Sequence, residues 1–273
     1  MSQKSVLVSI VIPSRYQSTR LPGKPLIKIA GIEMVKRVAN IAGIVCGEIV
    51  GCDYVVATDD ERILVFCEGE GIPVVMTRLD CASGTERCWD AVANRSVKPE
   101  LVINMQGDNP LCPPHVIRAL IDNWRDNSDA DLFTPSVQLD WDEFDKIIET
   151  KKDTPYSGTT VLVDRNNYAL AFSKAVIPVI RDVAKAKKLM AVSPVRRHIG
   201  IYAYKFEALQ RYIGLPQSDY ELSCVEGLEQ MRFLENGMRI KVVPVDYQGR
   251  KTTSGVDSPE DIKRVEEILK SEL

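Results

Sequence analysis

The sequence predicts an α/β fold: a mostly parallel, doubly wound sheet with a smaller α+β lobe in the middle of the chain. Three observations predict it. Short strand-like runs alternate with helical patterns through the first half, the rhythm of a parallel sheet. The first run, Val6–Ile12, is almost continuously apolar, as a strand buried on both faces must be. From about Leu132 the alternation gives way to shorter strands and a hairpin-like turn.

The first strand is expected to stop at Pro13, followed by a polar loop through Lys24 and a helix over about Glu33 to Ile44. Tyr54–Ala57, Pro73–Met76 and Leu101–Asn104 read as further strands. Each is followed by a helix, over about Asp60–Glu70, Gly84–Ala93 and Pro114–Arg125. In the middle lobe Thr159–Val163 and Tyr168–Phe172 flank the turn Asp164–Asn167, and His198–Tyr204 reads as one alternating strand. A helix over about Cys224–Glu235, a strand near Ile240–Val245 and a final helix complete the chain. Ser258 at the cap, Pro259 at the first position and Asp261 two residues on mark the start of that last helix. The expected organisation is one domain. About residues 1–130 form a nucleotide-type half, about 131–222 a substrate or dimerisation lobe, and about 223–273 a return to the main sheet.

The chain has 273 residues, enough to bury a sizeable core, with 45% apolar and 27% charged residues. A net charge of −3 gives no electrostatic reason to expect nucleic-acid binding, so an anionic substrate needs a local basic site or a metal. No leader pattern opens the chain and no stretch approaches the roughly 20 apolar residues of a membrane helix, so the cytoplasm is the expected compartment. Seven cysteines without a C-x-x-C pair, and only two histidines, argue against a zinc site.

Ligands of such sheets bind beyond the carboxyl ends of the strands, so chemistry is to be sought there first. Arg15, Arg20 and Lys24, with Gly23 between, form a basic loop after the first strand. Cations and a glycine that permits close backbone approach suit a polyphosphate, although no Walker loop is present. Gln106-Gly107-Asp108 follows the fourth strand, where a carboxylate is placed to hold a divalent cation. The alternative is a turn aspartate bound to local backbone. Asp257 is a candidate second carboxylate, the alternative being an acid favoured by the helix dipole. Ser83–Arg87 opens a helix whose first N–H groups can take a ligand's oxygens, the alternative being a plain Ser83 N-cap. His198, Tyr202, Glu229 and Gln230 are later candidates, His198 and Tyr202 having structural readings as well. No Ser-His-Asp or Cys-His arrangement stands out.

The segment Ile12–Leu26 resembles the opening signature of the 3-deoxy-manno-octulosonate (Kdo) cytidylyltransferases, or CMP-Kdo synthetases. The resemblance continues through Val56–Ile63, Ser83–Arg87, Asn104–Asp108, Tyr168–Ser173, Ile177-Pro178 with Arg181-Asp182, His198–Tyr204, Leu228–Arg232 and Gly255–Asp261, and so spans nearly the whole chain. It implies a nucleotidyltransferase fold related to the A-type glycosyltransferases and a homodimer. It also implies a Mg²⁺-dependent reaction of CTP with an eight-carbon sugar acid, giving the CMP-sugar and pyrophosphate for lipopolysaccharide assembly. By that resemblance Arg15 and Lys24 hold the triphosphate, and Ser83 and Gly84 lie against the nucleotide. Asp108 and Asp257 bind Mg²⁺, while Gln106, His198, Tyr202, Glu229 and Gln230 surround the sugar.

The chain departs from the family pattern at Cys81-Ala82, where a histidine is usual, and at Asn109-Pro110, where Glu-Pro is usual. It departs again at Lys174, usually arginine, and over Thr154–Thr159, where a lysine is missing. These changes avoid Arg15, Lys24, Asp108 and Asp257. Arginine and lysine are not equivalent where a carboxylate is gripped bidentately. One expectation is therefore an altered sugar, such as 8-amino-3,8-dideoxy-manno-octulosonate, whose own ammonium suits a site with fewer cations. The others are ordinary drift, another ulosonic acid, or a non-catalytic nucleotide-binding paralogue.

Overall fold

The computed structural model describes residues 7–17, 21–127, 129–247 and 255–271. In chain order the elements begin β1 (Val8–Ser14), β2 (Lys28–Ile29), β3 (Ile32–Glu33), α1 (Met34–Glu48), β4 (Cys52–Thr58) and α2 (Glu61–Gly69). Then come β5 (Val74–Met76), α3 (Gly84–Ala93), β6 (Leu101–Met105), α4 (Pro114–Asp126), β7 (Leu132–Gln138) and α5 (Trp141–Asp153). The chain continues through β8 (Thr159–Val163), β9 (Ala169–Ser173), α6 (Val183–Leu189), β10 (Arg196–His198) and β11 (Ile201–Lys205). It closes with α7 (Phe206–Ile213), α8 (Gln230–Glu235), β12 (Ile240–Pro244) and α9 (Pro259–Ser271).

These elements form two compact units, one of residues 1–118, 201–213 and 249–273, the other of 119–200 and 214–248. The sequence suggested one lobe at about 131–222. The chain instead leaves the second unit for 201–213, returns to it, and leaves again after 248.

In the first unit the strand order is β5-β4-β1-β6-β11. β1 pairs in parallel with β4 (Val8 opposite Cys52) and with β6 (Val8 opposite Leu101), and every residue of β1 is buried. β5 extends β4 in parallel, and β11 closes the β6 edge antiparallel, Tyr202 opposite Asn104. α1 is held by its apolar stripe: Met34, Val35, Val38, Ala39, Ala42 and Val45 recur at helical spacing and are buried. α2 starts at Asp60, whose carboxylate accepts from the Arg62 N–H. The predicted cap of α9 is present: Asp261 N donates to Ser258 Oγ at 3.3 Å, and Ser258 N to Asp261 Oδ2 at 3.0 Å. Leu21, Ile29, Met34, Val256 and Val265 bury together, fastening the 255–257 segment and α9 to the loop after β1. Each such aliphatic side chain contributes on the order of 1.5–3 kcal/mol.

In the second unit β7 pairs antiparallel with β10, β10 with β8 and β8 with β9, while β12 pairs β7 in parallel. The Asp164–Asn167 turn is tied by Asp164 Oδ1, which accepts from the N–H groups of Asn166 and Tyr168, both at 2.8 Å. α5 carries a full capping box between Asp140 and Glu143.

Three expectations are corrected. β1 does not stop at Pro13 but runs on to Ser14. β6 pairs β1 only as far as Val11, so Pro13 lies where that flank of the ladder has ended and a missing N–H is tolerated. The single strand over His198–Tyr204 is two, β10 and β11, broken at Ile199-Gly200 where the chain passes from the second unit to the first. The helix expected from Cys224 begins only at Gln230, because Gly227 sits at φ +63°, outside right-handed helix. Among the described residues no helix is long and apolar enough to cross a membrane.

Candidate active site

Two of the parallel strands, β1 and β6, deliver the candidate residues at their carboxyl ends. β6 ends at Met105 and continues directly into Gln106-Gly107-Asp108. Gly107 is required: a Cβ there would stand 2.9 Å from the Pro13 carbonyl oxygen and 3.0 Å from Ser14 Oγ. After β1 the loop folds back, Gly23 N donating to the Tyr16 carbonyl at 3.0 Å, with Gly23 left-handed at φ 69°. That turn places Lys24.

Lys24 Nζ lies 2.8 Å from Asp108 Oδ2 and 2.9 Å from Asp257 Oδ1. Asp257 is brought there by its neighbours. Val256 N donates to the Asp108 carbonyl at 2.8 Å, and Asp257 N to Asp261 Oδ2 at 2.9 Å. Gly255 leaves the room, since a Cβ would come within 2.9 Å of Asp108 Oδ1. Burial works against the charge on Lys24. The charge and hydrogen bond of Asp108, joined by those of Asp257, outweigh it and hold the ammonium above the ordinary lysine range. The Lys24 side chain is 15% exposed, against 28% for Asp108 and 40% for Asp257, so the cation is the least hydrated of the three.

Arg15 stands apart from this trio in its contacts. Its Nη2 donates to the Cys81 carbonyl, just before the first turn of α3. Ser83 caps that helix, its Oγ accepting from Glu86 N at 3.2 Å. Gly84 lies against Gln106, and a Cβ there would be 3.0 Å from Gln106 Nε2. α3 is itself anchored by Arg87, fully buried, which donates to Thr77 Oγ1 at 2.6 Å and Asp59 Oδ2 at 2.7 Å. Arg20, the third cation expected in the loop, lies outside the described residues.

Gln106 Nε2 donates to Asn104 Oδ1 at 3.0 Å, which directs the Gln106 carbonyl Oε1 to accept from elsewhere. Asn104 is fully buried and points its own amide at Thr85 Oγ1, which meets the Tyr204 hydroxyl at 3.1 Å. Tyr202 stacks beside Tyr204, ring centres 5.9 Å apart. This Asn104–Thr85–Tyr204 support was not singled out from sequence, although an asparagine inside an apolar strand was its visible signal.

His198, Glu229 and Gln230 belong to the second unit. His198 is buried, its Nε2 2.8 Å from Thr134 Oγ1 and its ring edge-on to Phe172. Burial, with Lys174 nearby, pushes its pKa down to about 3, so the ring is neutral at physiological pH. Gln230 is buried and Glu229 half-buried at the start of α8. Ser173 Oγ and the Lys174 N–H donate to the two oxygens of Glu226, at 2.9 and 2.7 Å.

Residues 9–240 match the family described as cytidylyltransferase. The 3-deoxy-manno-octulosonate cytidylyltransferase of Maricaulis maris is 42% identical, over 97% of this chain and 98% of that protein. The chain belongs to the 3-deoxy-manno-octulosonate cytidylyltransferase family. A solved CMP:2-keto-3-deoxy-manno-octonic acid synthetase complexed with CTP superposes with a TM-score of 0.81 at 32% identity, covering 98% of this chain and 100% of that one. The mixed α/β fold with a mainly parallel sheet is thus that of the family. It extends to the 4-diphosphocytidyl-2C-methyl-D-erythritol synthase of Anaerococcus prevotii, which shares the fold at TM-score 0.58 and 13% identity.

Proposed function

We propose that this family member joins the CMP of CTP to the anomeric oxygen of 3-deoxy-manno-octulosonate, releasing pyrophosphate, in the cytoplasm and for lipopolysaccharide assembly. The observation that carries the reading is the convergence of Lys24, Asp108 and Asp257 at the carboxyl ends of the parallel strands.

In this reaction the anomeric hydroxyl attacks the α-phosphorus, a new P–O bond forms, and the bond to the pyrophosphate oxygen breaks. Catalysis then consists of positioning and of neutralising charge on oxygen. Lys24 and Arg15 hold the phosphates, with Ser83 and Gly84 at the start of α3 beside the nucleotide. Asp108 and Asp257 present hard oxygen donors that fit Mg²⁺, a cation that takes one or two carboxylates and fills its other positions with water and phosphate oxygens. When bound, the cation supplies charge neutralisation at the phosphoryl group. Among the described residues no three His, Cys, Asp or Glu side chains form a metal-binding group, and a cation held by Asp108 and Asp257 would take its other oxygens from water and phosphate. Gln106, oriented by Asn104, accepts a hydrogen bond from the sugar. Tyr202 is the second sugar contact of the first unit; in the second unit the family resemblance assigns His198, as a neutral ring, Glu229 and Gln230 to the sugar.

A second reading changes only the sugar. Lys174 in place of the family's arginine and the lysine missing over Thr154–Thr159 suit a substrate that carries its own ammonium, as 8-amino-3,8-dideoxy-manno-octulosonate does. The reading also includes a homodimer. It is supported by apolar side chains exposed on the second unit, among them Leu189 and Val179, the latter lining a cleft of about 510 Å³ with Phe144, Ile148 and Ile180.

Pyrophosphate release with CTP and Mg²⁺, compared across Kdo, its 8-amino relative and a nonulosonic acid, tests this. Release chiefly with Kdo supports the first reading, and release chiefly with the amino sugar the second. Silence with all three, in folded protein that fails to bind CTP, would leave neither standing.

A further inference from the structure

Seven cysteines are spread through the chain, and one pair of them is not packed as ordinary core. Cys46 Sγ and Cys52 Sγ approach to 2.9 Å, both half-buried rather than sealed in the interior. Cys46 lies near the end of α1 and Cys52 is the first residue of β4. The turn between them is pinned on both sides. Cys52 N donates to the Ile49 carbonyl at 3.2 Å, and the Leu7 and Val8 N–H groups donate to the Gly51 carbonyl at 2.9 and 3.1 Å. The backbone therefore holds the two thiols facing each other. Cys67, Cys81, Cys88 and Cys112 are buried, and burial pushes Cys67 up to about 11 and Cys112 up to about 12. Cys224 is exposed but has no such neighbour described.

We propose that Cys46 and Cys52 form a reversible oxidation site, closing an intramolecular disulfide that staples α1 to β4. The oxidant is a small-molecule disulfide of the glutathione class. One thiol loses its proton, its sulfur attacks the small disulfide, and one small thiol leaves, giving a mixed disulfide. The second cysteine sulfur, also deprotonated, attacks the mixed disulfide and expels the other small thiol. Two electrons pass from the protein to the small disulfide, and the two protons end on the two released thiols. The Cys52 sulfur beside it, together with burial, holds Cys46 as a thiol. With the two sulfurs 2.9 Å apart, whichever thiol makes the first attack, the other is placed to resolve the mixed disulfide.

The staple is remote from the chemistry. Cys52 is level with Val8, and Val8 with Leu101, at the starts of the parallel strands. Gln106 and Asp108 follow the opposite end of β6, roughly 16 Å along the strand direction. Oxidation is therefore a stability switch and not an activity switch. By restricting the unfolded chain it should raise the unfolding temperature by roughly 5 °C.

The test treats the full-length protein with oxidised glutathione, blocks free thiols, and digests with a protease that cuts after glutamate, severing the chain at Glu48 between the two cysteines. The expected result is a linked pair of peptides carrying Cys46 and Cys52, and a raised unfolding temperature that dithiothreitol reverses. Cys46→Ser should retain glutathione on Cys52 and lose the thermal shift. Glutathione persisting on either cysteine of the unsubstituted protein would overturn the proposal. So would both thiols remaining free while Cys224 is modified.

Discussion

The Lys24 ammonium stands 2.9 Å from the Asp257 carboxylate, a pair separated by 233 positions in sequence. Asp108 lies 2.8 Å from the same nitrogen, so a single cation holds together two carboxylates that would otherwise repel. Removing that cation leaves two unneutralised acids and deprives a triphosphate of a partner. Lys24→Met should lower the rate of pyrophosphate release about 100-fold or more, with circular dichroism unchanged. A variant within a factor of two of the parent would remove Lys24 from the site.

The space for this trio is made by a glycine. A Cβ at Gly255 would meet Asp108 Oδ1 at 2.9 Å, whereas one at Gly47, in α1, meets nothing within 4 Å. Gly255→Ala should therefore cost activity on the order of tenfold by displacing the Asp108 carboxylate, a 1 Å error being enough to do so. Gly47→Ala should leave activity intact and stabilise α1 slightly. Parallel steady-state assays and thermal melts separate the two.

Asn104 should act through Gln106. Asn104→Asp keeps an acceptor for the Gln106 amide, and the Thr85 hydroxyl can turn to donate to it. Asn104→Leu offers the amide nothing. The leucine variant should raise KM for the sugar acid by roughly tenfold, with KM for CTP nearly unchanged, and the aspartate variant should recover most of the loss. Equal rises in both KM values would indicate general damage to β6.

His198 gives the stability a pH signature. Its folded pKa is near 3 and its unfolded value is 6.5, so between these pH values the unfolded chain binds the extra proton. Stability contributed by the neutral buried ring is thus full above pH 6.5 and lost as pH falls toward 3, by at most about 1.4 kcal/mol per pH unit. His198→Gln should flatten the fall of the unfolding temperature over that range. An unchanged slope would mean that other groups set it.

Much of the first unit was legible because its signals are local. The apolar runs of β1 and β6, the stripe of α1 and the Ser258–Asp261 cap each declare themselves within a few residues. Lys24 and Asp108 were legible as types in loops after strands, and Asp257 as an acid just before the capped last helix. Their meeting was not, because it depends on Val256 and Val265 packing against Leu21 and Ile29, contacts that no local pattern encodes. The second unit was harder for the same reason. Nothing in the alternation of His198–Tyr204 distinguishes one strand from two, since the break at Gly200 follows from β10 pairing β7 and β8 while β11 pairs β6. Gly227 also looks like any helix-interior glycine until its positive φ is seen.

The measurement closest to the central claim is pyrophosphate release by Asp257→Asn, with CTP, saturating sugar acid and a Mg²⁺ titration. Asparagine keeps the size and an oxygen but loses the charge that faces Lys24. The account predicts a fall in rate of about 100-fold, and a higher Mg²⁺ concentration for half-maximal rate. A rate and a Mg²⁺ requirement equal to those of the parent protein would contradict it, and would place the metal and the triphosphate away from the carboxylates that Lys24 joins.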